Sequence, residues 1–331
     1  MASTRKAKYE NLVPTSMGAG FRSTVSMLRD ALRKDARRRP PGPIPVVPLS
    51  PSAETPEDGV RATWFGHSAF LLELEGKRLL FDPMLSASPS PVPFVGSKRY
   101  SGQRLPLAPE QFPMLDAIVL SHDHYDHLDK ASIRKLRDKA RRFIVPLGVG
   151  QRLVRWGVDP GKITEHGWGD ETQVAGLTLA CGPARHFSGR GLFDRNGTLW
   201  CSWAILGERR RVFFSGDSGY APHFKEIGDK YGPFDLTLME CGQYDERWAA
   251  IHMMPEETVQ AHLDVRGGLL VPIHWAAFTL GFHAWDDPVE RAVKAAEARG
   301  VRIATPRIGE TVDAMADRYP QTAWWRERRD K

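Results

Sequence analysis

Ser121-His122-Asp123-His124-Tyr125-Asp126-His127-Leu128-Asp129 sets four metal-ligand side chains within six positions, in the pattern His122-x-His124-x-Asp126-His127. The run before it, Asp116-Ala-Ile-Val-Leu-Ser121, is apolar and β-branched, which predicts a buried strand. The donors therefore stand where a strand gives way to a loop, a place where a rigid scaffold presents chemistry. Imidazole and carboxylate suit zinc and its first-row neighbours. A polar loop that happens to be His-rich is the plainer alternative, and so dense a donor pattern argues against it. Asp123 and Tyr125, at the x positions, are expected to point away from a metal and serve structure.

Donors from one loop cannot all close on one tetrahedral ion without strain, so others are expected from elsewhere. His186 follows the strand-like Leu177–Arg185, Asp217 follows Arg211-Val-Phe-Phe-Ser-Gly216, and His274 follows Leu269-Leu-Val-Pro-Ile273. Each repeats one grammar: an apolar strand, a small residue or turn, then a ligand.

That order of HxHxDH, His, Asp and His resembles the metallo-β-lactamase-fold hydrolases over about residues 61–312. The resemblance implies an α/β fold, a four-layer αβ/βα sandwich with a two-metal site at one edge. It implies that His122, His124 and His186 hold one ion and that Asp126, His127 and His274 hold the other, with Asp217 bridging. Two divalent ions are expected, zinc first by donor type and iron or manganese also admitted.

Further segments are similar to N-acylphosphatidylethanolamine-hydrolysing phospholipase D and its bacterial relatives. They are Trp64-Phe-Gly-His-Ser-Ala-Phe-Leu-Leu-Glu73, Leu79-Leu-Phe-Asp-Pro83, Ala87–Pro91, Phe94–Tyr100, Gly216-Asp-Ser-Gly-Tyr220, Phe224–Gly228, Gly232–Asp235 and His252-Met-Met-Pro-Glu-Glu257. Two cations about 3.5–4 Å apart can share a hydroxide and offset charge on an attacked oxygen. Asp126, Asp217 and His252 are the catalytic candidates, and the resemblance makes His252 a non-ligand active-site histidine. His283, Tyr220, Trp248 and Tyr100 are candidates for the substrate pocket. His67 and Asp82 read as scaffold, including support of the metal loop. His166, His223 and His262 read as surface or core.

No GxSxG elbow, Walker-type phosphate loop or GxGxxG turn is present. Cys181, Cys201 and Cys241 form no CxxC pair and read as buried thiols of a reducing compartment; Cys241 ends a strand-like run and is the one with functional promise. The 331 residues, 41% hydrophobic, can build one large core. No stretch has the roughly 18 apolar residues of a membrane span, and the first residues lack the apolar core of a secretory signal. A cytoplasmic protein, at most peripheral on the inner membrane face, is the expectation.

Residues 1–39 carry ten Lys/Arg against three Asp/Glu, whereas the rest of the chain is nearly neutral. Phe21, Val25, Leu28 and Leu32 share one face of a helix expected over Ser23–Arg38, stopped by Pro40-Pro-Gly-Pro43. Two uses compete for it: a strap laying its apolar stripe on the body, which is favoured, or a basic amphipathic helix resting on anionic lipid. Nothing resembles a nucleic-acid-binding module. Residues 1–60 thus read as a basic, Pro-rich extension and strap, 61–315 as the hydrolase domain and 316–331 as a tail. Residues 86–113 read as a long loop. In it Phe94, Lys98, Arg99, Tyr100 and Arg104 either cover the metal site and meet a phosphate or pack at an edge. Trp200, Trp203, Trp248, Trp275 and Trp285 read as core or pocket wall, with Trp248 and Trp275 able to shape the mouth. Pro288–Arg299 reads as an outer helix.

Three functions fit this sequence. The first is a binuclear phosphodiesterase cleaving N-acylphosphatidylethanolamine or a related phospholipid through a metal-bridging hydroxide. The second is a metal-dependent lactonase or carboxylic-ester hydrolase of small soluble substrates. The third is a non-catalytic metal-binding protein. The sequence leaves oligomeric state open, a homodimer included.

Overall fold

The computed structural model describes residues 8–16, 21–33, 35–50, 55, 57–92 and 96–328. Phe94 lies outside them, as do the side chains of Phe21 and Arg22.

Strands β1 (Val60–Trp64), β2 (Phe70–Leu74), β3 (Lys77–Phe81), β4 (Ala117–Val119), β5 (Phe143–Pro146) and β6 (Ile163–His166) form the first sheet, with β13 (Thr311–Asp313) on the outer edge of β1. The second sheet holds β7 (Glu171–Val174), β8 (Leu177–Gly182), β9 (Ser202–Leu206), β10 (Arg211–Phe214), β11 (Phe234–Glu240) and β12 (Gly267–Ile273). Each begins as an antiparallel meander and turns parallel, at β3–β4 in the first and β10–β11 in the second. The two halves thus repeat a topology, although no repeat is legible in the sequence.

Side-chain alternation sorts each strand between two cores. Leu79 and Phe81 face the other sheet, meeting Leu179, Trp203 and Phe214, while Leu80 and Ile118 face outward. On that outer side lie α2 (Lys130–Leu136) and α3 (Gly150–Arg155), through Ile133, Leu136 and Leu153. Across the molecule, α4 (His223–Tyr231), α5 (Pro255–Asp264) and α6 (Asp287–Ala298) cover the second sheet through Phe224, Val259, Ala292 and Ala296. The layers run helix, sheet, sheet, helix, as expected.

Three features differ from the reading of the sequence. Helix α1 spans Phe21–Leu32, shorter than expected, and its apolar residues face outward: Val25, Leu28 and Leu32 are 51%, 62% and 75% exposed. The helix docks instead by its polar side, because Arg247 donates to Ser26 Oγ and to Asp30 Oδ2 at 2.9 Å each. Trp275 belongs to the inter-sheet core rather than a mouth, with ring centroids 5.5 Å from both Trp64 and Trp324. Trp324 and Trp325, in the stretch read as a tail, are buried in that same core.

Candidate metal centre

The donors collect at the carboxyl ends of the parallel strands, where α/β sheets commonly place their sites. The loop after β4 carries His122 to His127 and ends at Asp129, whose carboxylate caps α2 by accepting from the N–H groups of Ala131 and Ser132. The x positions staple this loop to the next. Asp123 accepts from Gly189 N–H at 2.8 Å and pairs with Arg152 at 2.7 Å, while Tyr125 donates to Arg190 O and lies under its guanidinium. After β10, Gly216 turns the chain with φ +57°, and a Cβ there would sit 2.5 Å from Cys201 O, so glycine is required just before Asp217.

Two groups of donors face each other across Asp217. His124 Nδ1 lies 2.9 Å from His122 Nε2 and 3.2 Å from His186 Nε2, a convergence of three ring nitrogens. On the other side, Asp126 Oδ2 lies 3.5 Å from His127 Nε2 and 3.4 Å from His274 Nε2. Asp217 Oδ2 is 3.1 Å from the Nε2 atoms of His127 and His274 and 3.8 Å from those of His122 and His186. His127 Nε2 and Asp217 Oδ1 are buried without a hydrogen-bond partner. Buried imidazoles and carboxylates with lone pairs converging and orphaned have the chemistry of a divalent-metal cage.

The opposite nitrogens of these rings are held in place. Asp82 Oδ2 is 2.7 Å from His127 Nδ1, Ile251 O is 2.9 Å from His186 Nδ1, and Ser121 Oγ is 2.9 Å from His122 Nδ1. His67, at φ +55°, sets its Nε2 2.7 Å from Asp126 Oδ2, and its carbonyl accepts from His274 N–H. His67 and Asp82, read as scaffold, are thus direct supports of the cage.

Charge divides the site. Burial drives His122 and His186 well below the ordinary imidazole pKa and His124 to about 4, leaving three neutral rings. Burial also opposes charge on His274, but Asp217 and Asp126 outweigh it and raise that ring to about 10. Asp126 and Asp217 stay well below the usual carboxylate range despite burial, chiefly through His127.

His252 joins this assembly: its ring lies 4.9 Å from His186 and stacks 5.2 Å from His274. Its Nδ1 is 2.8 Å from Glu240 Oε2. Glu240 is fully buried at the end of β11 and was missed in the sequence. Its sequence signal is a carboxylate set between Leu238-Met239 and Cys241 at a strand end. The neighbouring Cys241, thought promising, lies in the inter-sheet core.

The pocket candidates have other engagements. Tyr220 donates to Asp264, Tyr100 to Arg38 O, and Trp248 to Gln243 O, while His283 Nε2 accepts from Gln243 N–H. Arg99 is buried and donates to the carbonyls of Ser86, Phe65 and Met84, so it braces the 86–113 loop rather than meeting a phosphate.

A model of the Beta-lactamase superfamily domain matches residues 77–275. The chain belongs to the β-lactamase superfamily. Within it this is a metallo-β-lactamase-fold, metal-dependent hydrolase. An uncharacterized protein of Mycobacterium tuberculosis is 44% identical over 97% of this chain and 87% of its own length. The N-acyl-phosphatidylethanolamine-hydrolyzing phospholipase D 1 of Caenorhabditis elegans is 37% identical over 72% of this chain and 70% of its own. Among solved structures, a metallo hydrolase from Ignicoccus hospitalis, Igni18, shares the fold with TM-score 0.56 and 23% identity, covering 77% of this chain and 97% of that one.

Proposed function

We propose that this hydrolase is a binuclear phosphodiesterase acting on N-acylphosphatidylethanolamine or a related phospholipid. His122, His124 and His186 would hold one ion and Asp126, His127 and His274 the other, with Asp217 between the two groups. Bound there, divalent ions (zinc by donor type, with iron and manganese also suited) supply an activated water and offset charge on the attacked oxygen. The residues of the chain do the rest. Asp217 fixes the two halves of the cage relative to each other, and Asp126 ties His67 to His127 and His274 within the second. His252, beside His186 and His274, gives a proton to the leaving oxygen.

The observation that carries this reading is the double convergence on Asp217 Oδ2, 3.1 Å from two ring nitrogens and 3.8 Å from two others. Similarity to the C. elegans phospholipase favours a phospholipid over a lactone. A lipid surface also gives the outward residues of α1, and Leu192 and Phe193 at 91% and 93% exposure, something to meet. The protein on this reading is cytoplasmic and peripheral at the inner membrane face. No helix among the described residues is long and apolar enough to cross a membrane.

The test is a substrate panel on metal-loaded protein: bis-p-nitrophenyl phosphate, soluble lactones and dispersed N-acylphosphatidylethanolamine. Cleavage of the phospholipid on the phosphatidyl side is expected. Turnover of lactones with both phosphodiesters untouched would replace this reading with a carboxylic-ester hydrolase.

A further inference from the structure

Glu240 closes β11 with its side chain fully buried, and one of its oxygens gathers with atoms of Asp217, His252 and His274 that all lie within 4.8 Å of one another. His274 directs Nε2 at Asp126 and Asp217, while its Nδ1, on the other side of the ring, is the atom 3.6 Å from Glu240 Oε2. The same Oε2 is 2.8 Å from His252 Nδ1, and Oε1 accepts from Met253 N–H at 2.7 Å. The backbone beneath is pinned as well: Glu240 N–H donates to Ser215 Oγ, and Thr258 Oγ donates to Glu240 O. A carboxylate taken wholly out of water persists where its oxygens find donors. Here each oxygen has one, and one of those donors is His252, whose side chain keeps 12% exposure beside the cage.

We propose that Glu240 is the positioning residue of the reaction, acting through His252. This rests on the phosphodiesterase reading above. By accepting the Nδ1 proton, the carboxylate fixes the ring's tautomer and rotation and leaves Nε2 as the nitrogen that serves the leaving group. An alcohol is a poor leaving group and gains from protonation as it departs, by about 10²–10⁴-fold in typical cases. The atoms balance. Water adds its oxygen to phosphorus and leaves one proton on the phosphate product, while its other proton passes to Nε2 of the Nδ1–H ring. The bond from phosphorus to the alcohol oxygen breaks, and that oxygen keeps the electron pair and takes the proton from Nε2. The ring remains as the Nδ1–H tautomer, the form that preserves its bond to Glu240. Replacing Glu240 by glutamine keeps the shape but offers one acceptor where two donors, Met253 N–H and His252 Nδ1–H, compete.

The experiment uses zinc-loaded full-length protein as wild type, Glu240→Gln, His252→Ala and the double variant. Three readouts are taken: metal content, the ring nitrogen-15 and N–H signals of His252 by NMR, and kcat on two phosphodiesters differing only in leaving group. Glu240→Gln is expected to retain its metal and lose the Nδ1–H signal of His252. Its kcat should fall by about 10²-fold for a simple alcohol leaving group and by no more than about threefold for p-nitrophenol, which departs without help. His252→Ala should show the same leaving-group pattern, and the double variant should be no slower than His252→Ala.

Metal loss in Glu240→Gln would make Glu240 part of the cage and overturn the proposal. So would an equal loss on both diesters, or an unchanged His252 ring signal. If the wild type cleaves neither diester, the phosphodiesterase reading fails, while the ring signals still decide whether Glu240 sets the tautomer of His252.

Discussion

Nδ1 of His127 and Oδ2 of Asp82 stand 2.7 Å apart with both side chains fully buried. Asp82 also takes the N–H of Ser121 at 2.8 Å, so one carboxylate ties the start of the donor loop to a ring at its far end. Removing its charge leaves the ring without its orienting partner. Asp82→Asn is expected to weaken divalent-metal binding by about 10–100-fold, the usual effect of losing such a partner. Titration of the metal-free variant with zinc measures it, and wild-type affinity in the variant would refute the role.

Asp217 is shared by both donor groups, so its loss should not be confined to one of them. Asp217→Ala should lose most of its bound metal together with hydrolytic activity, and elemental analysis of the purified variant checks this. A variant keeping a full metal complement would remove Asp217 from the centre of the cage.

The outward apolar residues give a binding prediction. Leu192→Ser with Phe193→Ser, or Val25→Ser with Leu28→Ser, should reduce sedimentation with vesicles containing anionic phospholipid while leaving hydrolysis of a soluble diester within about twofold, as surface substitutions usually do. Unaltered vesicle binding by both pairs would show that lipid is met elsewhere or not at all.

Two buried histidines outside the cage predict acid sensitivity. Burial depresses His223 to about 3 and His262 to about 4, against 6.5 for the free side chain. The unfolded chain therefore binds protons that the folded protein does not. Their contribution to stability is complete above about pH 6.5 and declines as pH falls toward 4, by about 1.4 kcal/mol per pH unit for each group. His262→Gln, which can keep the 2.7 Å contact to Thr237 Oγ1, should flatten that dependence by about one proton's worth in urea unfolding from pH 7 to 4. Equal slopes for variant and wild type would contradict the assignment.

What was legible in the sequence follows distance along the chain. His122, His124, Asp126 and His127 announce themselves because a strand end and a tight loop hold them within six positions. His186, Asp217 and His274 were found by their shared strand-then-turn setting, which a sheet edge imposes on each separately. Glu240 has no such neighbourhood: its donors, His252 and Met253, lie a dozen residues on, past a loop. The face of α1 was misread for a related reason. Helical spacing groups Val25, Leu28 and Leu32, but which side docks is decided by Arg247, more than two hundred residues away. Trp275 sits beside a donor in sequence and behind it in space, since the chain leaves β12 at Ile273 and turns at His274 with φ +67° before Trp275 enters the inter-sheet core.

The mirrored halves meet between β6 and β7, at residues 167–170. One contributes its donors from a single peptide, and the other sends them one at a time from three strand ends. Cut there, the chain becomes two pieces laced at both ends, because β13 from the second pairs with β1 of the first while Asn11 from the first bonds the backbone of His186 in the second. Such a nicked protein should reassemble from its fragments through these contacts and the shared core, and more tightly when a divalent cation is added.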